Sequence, residues 1–386
     1  MLIRGAKMRF IKELKNLKVY KPGKPIEEVK GSLGLETVYK LASNEIPFPP
    51  LYIRKSIQAE LENINRYPQG SCHYLRKFLA KKFRINESQI VFGNGSDEII
   101  VLTLRALIEK GDEVIVAYPT FLIYEIQAAI SGAKVVRVPL KEFHYDLPEL
   151  AKKVNRKTKI IFIANPDNPT GTYCNHKEIS NFLKLIPKSV LVYFDEAYFE
   201  FAPGDFPKTE QFLRMRDNVI FTRTFSKAYA LAGLRIGYGI TTLKIAAALN
   251  KVREPFNINR FAQVAGVCAL ENKGFLKKVI PYIEREKKYL YGGLSGLGVF
   301  FVESAANFIL IDLKKDTKSL YNYLLKKGVI VRELRGWGLK NFFRVTIGLH
   351  KENKKFIGCL RGYLQKSNKC GRSIAEFRHC PSRLNI

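Results

Sequence analysis

Between residues 89 and 240, short apolar runs rich in β-branched residues alternate with stretches long enough to form helices. Gln89-Ile-Val-Phe92, Val114-Ile-Val-Ala117, Val135-Val-Arg-Val138, Ile160-Ile-Phe-Ile163, Val190-Leu-Val-Tyr-Phe194 and Val219-Ile-Phe221 form the series, and Ile236-Gly-Tyr-Gly-Ile240 extends it to seven. A strand that is apolar without alternation has to be covered on both faces. Intervening helices supply that cover, so the pattern predicts an α/β fold with a mostly parallel seven-stranded sheet between helices. In such sheets ligands gather beyond the carboxyl ends of the strands. The residues just after each run are therefore where chemistry is expected.

The flanking regions read differently. Residues 1–50 hold a short amphipathic segment, Met8 to Leu17, then a turn, Tyr20-Lys-Pro-Gly-Lys-Pro25, and a short strand in Val38-Tyr-Lys-Leu-Ala-Ser-Asn-Glu45. Pro47, Pro49 and Pro50 interrupt regular structure. Helices are expected over about 51–63 and 72–83, over 241–275 with a break at Pro255, and over 275–294. Beyond these the pattern is α+β, with strands near 299–302, 308–311, 329–331 and 343–347 and helices near 317–327 and 351–365. We therefore expect an N-terminal segment (1–50) joining a small domain, a large domain over 51–275, a smaller α+β domain over 276–366, and a frayed tail over 367–386, where periodicity is lost.

Composition removes several classes. No apolar run approaches the 18 residues of a membrane span, and the basic start lacks the apolar core of a signal peptide. The six cysteines form no Cys-x-x-Cys pair and the five histidines do not cluster with them, so neither a metal site nor a disulfide framework is expected, and a reducing cytoplasm is. A formal charge of +30 could serve a polyanion. The lysines and arginines are spread along the whole chain and no nucleic-acid motif accompanies them, so we read a basic surface and small anionic ligands.

Four stretches at strand ends carry reactive residue types. Phe221-Thr-Arg-Thr-Phe-Ser-Lys227 ends in a lysine flanked by Thr224 and Ser226, with Arg235 eight positions on. This suits a carbonyl-trapping amine beside a phosphate held by hydroxyls and a guanidinium. Gly93-Asn-Gly-Ser-Asp-Glu98 joins a strand to a helix, with Ser96 as the expected N-cap and the first-turn amides free for an anion. Taken alone, such a turn is usually only a turn. Asn165-Pro-Asp-Asn-Pro-Thr-Gly171 holds extended backbone before each proline and projects Asn168. Asp195-Glu-Ala-Tyr198 puts a carboxylate at the end of an apolar strand, where burial requires a cationic partner. A protonated pyridine nitrogen is such a partner, and Tyr198 can donate to a phenolate oxygen. Amine, phosphate cup, amide, carboxylate, phenol and arginine together meet the needs of pyridoxal 5′-phosphate.

On these motifs, residues 8–365 resemble the fold-type-I pyridoxal-phosphate-dependent aminotransferases, and within them the histidinol-phosphate branch. The resemblance implies that Lys227 carries the cofactor and moves protons and that Asp195 keeps the pyridine nitrogen charged. It implies that Tyr198 and Asn168 bind the ring oxygen, and that Ser96, Asp97, Thr224, Ser226 and Arg235 enclose the phosphate. Phe121, in Tyr118-Pro-Thr-Phe121, would stack on the ring, and Tyr67 would reach the phosphate of a partner subunit in a homodimer with shared sites. Asn44, Arg344, Arg332 and Tyr20 match substrate-binding positions, the last three for the substrate anion. Ile46 departs from the family's Asn-Glu-Asn-Pro, replacing a polar residue at the substrate entrance. The implied activity is amino transfer between L-histidinol phosphate and 2-oxoglutarate. Aromatic-amino-acid transamination or threonine-phosphate decarboxylation on the same scaffold are the alternatives, with polyanion binding on a dead scaffold more remote.

Overall fold

Seven strands build the larger sheet of the computed structural model, which describes residues 22–369 together with 8, 10, 12, 14 and 17. In chain order the strands are β1 (Tyr39–Leu41), β2 (Ile90–Gly93), β3 (Glu113–Tyr118), β4 (Lys134–Pro139), β5 (Thr158–Ala164), β6 (Leu191–Asp195), β7 (Val219–Thr224), β8 (Gly237–Thr241), β9 (Phe300–Val302), β10 (Phe308–Asp312), β11 (Val329–Glu333) and β12 (Phe342–Thr346). The larger sheet has the order β2-β8-β7-β6-β5-β3-β4. The four neighbouring pairs from β7 to β4 are parallel, and β8 pairs antiparallel with both β7 and β2. All seven apolar runs are strands of this sheet.

The unbroken apolar character of these runs has a direct physical cause. Ile161 and Ile163, Val192 and Phe194, Val219 and Phe221 pack into one core beneath the sheet. Their alternate neighbours Ile160 and Phe162, Leu191 and Tyr193, and Ile220 pack into a second core on the other face. Successive strand side chains point to opposite faces, so a sheet covered twice needs apolar residues at every position.

Side-chain caps set the start of several helices. Asn175 and Glu178 form a reciprocal capping box on the helix His176–Leu185. The break expected at Pro255 separates the helices Leu243–Val252 and Arg260–Glu271, and Asn259 and Asn272 cap the two helices that follow, the second of them Lys273–Ser295. The helix expected to end at 365 runs instead from His350 to Lys369, three residues into the segment read as a tail. The remaining tail lies outside the described residues, as do Tyr20 and most of the segment Met8 to Leu17.

A second, five-stranded sheet has the order β1-β11-β12-β10-β9. It is antiparallel except where β1 joins β11 in parallel, so a strand from the N-terminal region completes a sheet built from residues 300–346. Its core joins Phe308, Ile309, Ile311, Val331, Phe343 and Val345 to Ile283 and Leu290 of the long helix and to Phe356 and Leu360 of the last one.

One buried ion pair ties the two strands that carry the site. Arg223 on β7 donates through Nε to Glu196 Oε2, just after β6, at 2.8 Å, and both side chains are almost wholly buried. The Arg223 guanidinium also lies 3.4 Å from the Phe199 ring centroid. Removing one partner leaves a buried charge without compensation. Arg223→Met is expected to destabilise the fold by about 3–5 kcal/mol, seen as a lower denaturant midpoint. A change below ~1 kcal/mol would contradict this account.

Candidate active site

The carboxyl ends of β5, β6 and β7, the start of the helix Ser96–Leu107 and the exit of β1 surround one cavity of ≈ 230 Å³. Ser96, Asp97, Phe121, Asn168, Asp195, Tyr198, Thr224, Ser226, Lys227 and Arg235 all line it, joined by Asn44, Arg332 and Arg344. Residues from positions 44 to 344 thus meet at one place.

One end is built for an anion. Gly95, not Ser96, is the N-cap of its helix, and it adopts φ 79°. Its N–H donates to Arg235 O at 3.0 Å, and its positive φ is one that glycine adopts without strain. Ser96 becomes the first helical residue, and its hydroxyl is left to face the cavity. Arg235 Nη1 donates to Ser226 Oγ at 3.3 Å and its Nη2 lies 3.7 Å from Asp97 Oδ2. Thr224 Oγ1 accepts from Ser226 N–H at 3.1 Å. The close approach of these segments depends on missing side chains, since a Cβ on Gly237 would sit 2.5 Å from Ser96 N and one on Gly95 would collide with Arg235. Hydroxyls, a guanidinium and a helix N-terminus around one hollow fit a phosphate.

Asp195, 6% exposed, ends β6. Tyr124 Oη donates to its Oδ2 at 2.7 Å and Ala197 N–H to its Oδ1 at 3.2 Å. Burial nevertheless pushes its pKa up to about 6. A carboxylate left this costly by its own surroundings fits a cationic ring nitrogen. Tyr124 was not legible as a site residue: it sits in an apolar helix start, stacked on Phe162 at 4.8 Å, and nothing local shows that its hydroxyl meets a residue 71 positions away.

Tyr198 Oη accepts from Asn44 Nδ2 at 2.8 Å. Asn44 is fixed in a left-handed conformation, φ 55°, with Thr346 Oγ1 accepting its N–H at 2.9 Å and Asn307 Nδ2 donating to its carbonyl at 3.1 Å. Asn168 Oδ1 accepts from Arg344 Nη1. Its loop is held by the fully buried Asp167, which accepts from Thr120 Oγ1 at 2.6 Å, Thr170 Oγ1 at 2.9 Å and Tyr145 Oη at 3.2 Å. Asp167, like Tyr124, had no sequence signal beyond its place between two X-Pro pairs.

Lys227 Nζ donates to Ser43 O at 3.2 Å. Its pKa is lowered to about 8, first by burial and then by the Arg344 guanidinium, while Asp97 and Glu45 oppose the shift and Arg235 adds a smaller push. Of the two arginines, Arg344 lowers it more than Arg235, although Arg235 lies only eight positions on in sequence. An amine of pKa about 8 is mostly uncharged above pH 8. Reductive labelling of cofactor-free protein with a small aldehyde is therefore expected to modify Lys227 with a midpoint near pH 8, whereas exposed lysines respond near their ordinary ~10.4. A Lys227 midpoint above 10 by peptide mapping would sink the assignment.

Arg332 and Arg344 form a second cationic locus. They are direct cross-strand partners on β11 and β12, so both point to the same face. Arg344 Nη2 donates to Ala42 O at 2.9 Å. Like charges directly opposite each other are unfavourable, and an anion between them removes the penalty.

Two further residues singled out in the sequence do not line this chain's own cavity. Tyr67 is 80% exposed and stacks on Phe256 at 4.8 Å, outside this cavity. Ile46 does not line the cavity either; it is buried in the core of the second sheet. Tyr20 lies outside the described residues.

A seven-stranded sheet with this topology, with a half-buried lysine, a buried aspartate and a hollow suited to phosphate at its carboxyl edge, fits an aminotransferase-type site. The chain belongs to the family "Aminotransferase class I and II", whose profile matches residues 36–359. Within that family its relatives are histidinol-phosphate aminotransferases. It is 43% identical to the enzyme of Moorella thermoacetica, over 90% of this chain and 91% of that one, and 41% identical to histidinol-phosphate aminotransferase 2 of Carboxydothermus hydrogenoformans, over 92% and 99%. Among solved structures, the histidinol-phosphate aminotransferase from Sinorhizobium meliloti in complex with pyridoxal-5′-phosphate superposes with a TM-score of 0.86 at 27% identity, covering 94% of this chain and 99% of that one. Family and fold are therefore those that the sequence motifs implied.

Proposed function

We propose that the protein moves an amino group between L-histidinol phosphate and 2-oxoglutarate, giving imidazole-acetol phosphate and L-glutamate, with pyridoxal 5′-phosphate in the cavity, as a step of histidine biosynthesis. The observation that carries this reading is a lysine of lowered pKa sharing one cavity with the opposed pair Arg332 and Arg344. When bound, pyridoxal phosphate supplies a cationic conjugated ring that draws electrons from the substrate carbon.

The residues divide the work. Ser96, Asp97, Thr224, Ser226 and Arg235 hold the phosphate, the hydroxyls and guanidinium by hydrogen bonds and Asp97 by orienting Arg235. Asp195, oriented by Tyr124, keeps a proton on the ring nitrogen. Tyr198 and Asn168 hold the ring oxygen, and Phe121 covers the ring face. Lys227 Nζ takes the proton from the substrate carbon and returns it, a task suited to an amine whose pKa lies near working pH. Arg332 and Arg344 hold the far anion. A guanidinium fork accepts either phosphate or carboxylate, so one locus serves both substrates.

Arg344→Lys keeps the charge and loses the fork. Single-turnover rates with histidinol phosphate and with glutamate are each expected to fall about 10–100-fold, since hydrogen bonds to charged groups contribute about 1.5–3 kcal/mol. Unchanged rates would remove Arg344 from the anion site. The function itself is tested by the absorbance of the purified holoenzyme. Histidinol phosphate should bleach the visible band and 2-oxoglutarate should restore it. Response to aromatic amino acids alone, or release of carbon dioxide from threonine phosphate, would replace this reading with one of its neighbours.

The same proposal includes a cytoplasmic homodimer in which Tyr67 completes the partner's phosphate site. The exposure of Tyr67 and of nearby Leu51, Leu61 and Ile64 supports it, and no helix among the described residues is long and apolar enough to cross a membrane. Division near residues 50, 275 and 366 is likewise part of the proposal, supported by the two separate sheets.

A further inference from the structure

The turn after β11 carries the chain's single tryptophan, and that side chain joins the two sheets at the cavity wall. Trp337 is 2% exposed. The Arg332 guanidinium lies 5.0 Å from its ring centroid. Its Nε1–H donates to the carbonyl of Thr120 at 2.8 Å, and the next residue is Phe121, which lines the cavity. Close packing surrounds this joint. A Cβ on Gly338 would sit 2.7 Å from Tyr118 Oη, and Leu122 packs on the cluster of Trp337, Leu334 and Leu339. Arg335 pins the turn from the other side through Glu333, at 2.8 Å, and Asp316.

Such a contact suits the position of Arg332. Arg344 is its direct cross-strand partner, and the repulsion between them would turn a loosely held guanidinium away from the cavity. An indole face restrains a planar cation by electrostatic attraction as well as by contact. We propose that Trp337 is a positioning residue for the substrate anion. Its face holds Arg332 toward the cavity opposite Arg344, and its N–H ties that arginine to the Thr120–Phe121 backbone, so filling the anion site is felt at the wall against which the cofactor ring lies. The inference rests on the reading of Arg332 and Arg344 as the anion-binding pair.

The indole is its own reporter, because no other tryptophan contributes to emission. Holoenzyme is titrated with inorganic phosphate, which has no amine to react, while cofactor absorbance in the same cuvette shows that energy transfer is constant. A saturable change in tryptophan emission is expected, and Arg332→Gln should lose it. In turnover assays Trp337→Phe keeps an aromatic face and should hold KM for histidinol phosphate within about threefold. Trp337→Leu should raise that KM roughly tenfold with kcat within about threefold, in line with loss of a desolvated cation–π contact. If Trp337→Leu does not fold, the phenylalanine variant and the emission titration carry the test. Emission indifferent to phosphate at concentrations that compete with histidinol phosphate would overturn the proposal. So would a leucine variant that loses stability and kcat with KM unchanged, since that marks packing alone. Absence of turnover in the unmodified enzyme would instead reject the proposed reaction, and the phosphate titration would still decide whether Trp337 senses an anion at Arg332.

Discussion

Replacing Lys227 with alanine is expected to lower turnover by at least ~10⁴-fold, because both the carbonyl-trapping amine and the proton carrier are lost, and general acid–base catalysis by one group alone contributes about 10²–10⁴-fold. Cofactor binding should survive, since Ser96, Thr224, Ser226 and Arg235 line the cavity independently of Nζ. The two readouts separate the roles. Dialysed Lys227→Ala should retain pyridoxal phosphate without the attachment that borohydride makes permanent in the unmodified protein. A small primary amine added to the variant should recover part of the proton transfer. Residual turnover within tenfold of the parent would show that another group does this work.

Asp195→Asn is expected to move activity and stability in opposite directions. The asparagine keeps the shape and can still accept from Tyr124, but it cannot hold a cation on the ring nitrogen. Loss of a preorganised charge in a dry site costs about 10²–10³-fold in kcat. Without cofactor the same charge is a liability. Burial raises the Asp195 pKa from 3.8 to about 6, so the folded chain binds more protons than the unfolded chain between those values. Stability therefore falls as pH rises from about 4 to about 6, and the cost persists above that. Removing it should make cofactor-free Asp195→Asn more stable than its parent at pH 7 by up to roughly 3 kcal/mol, with the gap closing below pH 4. Denaturant midpoints at the two pH values measure it. A variant less stable at pH 7, or one that turns over normally, would contradict the assignment. Sites that need an expensive group commonly trade stability for function in this way.

Much of this was legible from residue order. Apolar character at every position of Ile160–Ile163 and Val190–Phe194 can be satisfied only by a sheet covered on both faces, so the fold class and the strand list follow from local pattern and solvation. The cofactor motifs were legible because each is short, contiguous and sits where a strand must end: Lys227 with its hydroxyls, Asp195 with Tyr198, Asn168 between its prolines. Their chemistry depends on residue type and on backbone restrictions that act within a few positions.

Other features were set only by the folded chain. Gly95, and not Ser96, is the N-cap, and Arg235 O, 140 positions on, accepts its N–H. Ile46 packs in the core of the second sheet because β1 joins that sheet and carries the following residues inward. Tyr124 reaches Asp195, Arg344 outweighs Arg235 in lowering the Lys227 pKa, Asp167 holds the Asn168 loop, and Trp337 spans from Arg332 to Thr120. Each of these joins residues far apart in sequence or turns on the burial of a polar group, and most do both. The local pattern of the chain determines which elements form and which reactive groups stand at their ends. The distances between those groups, and so their charge states and hydrogen-bond partners, depend on desolvation and packing across the whole fold, which no local pattern encodes.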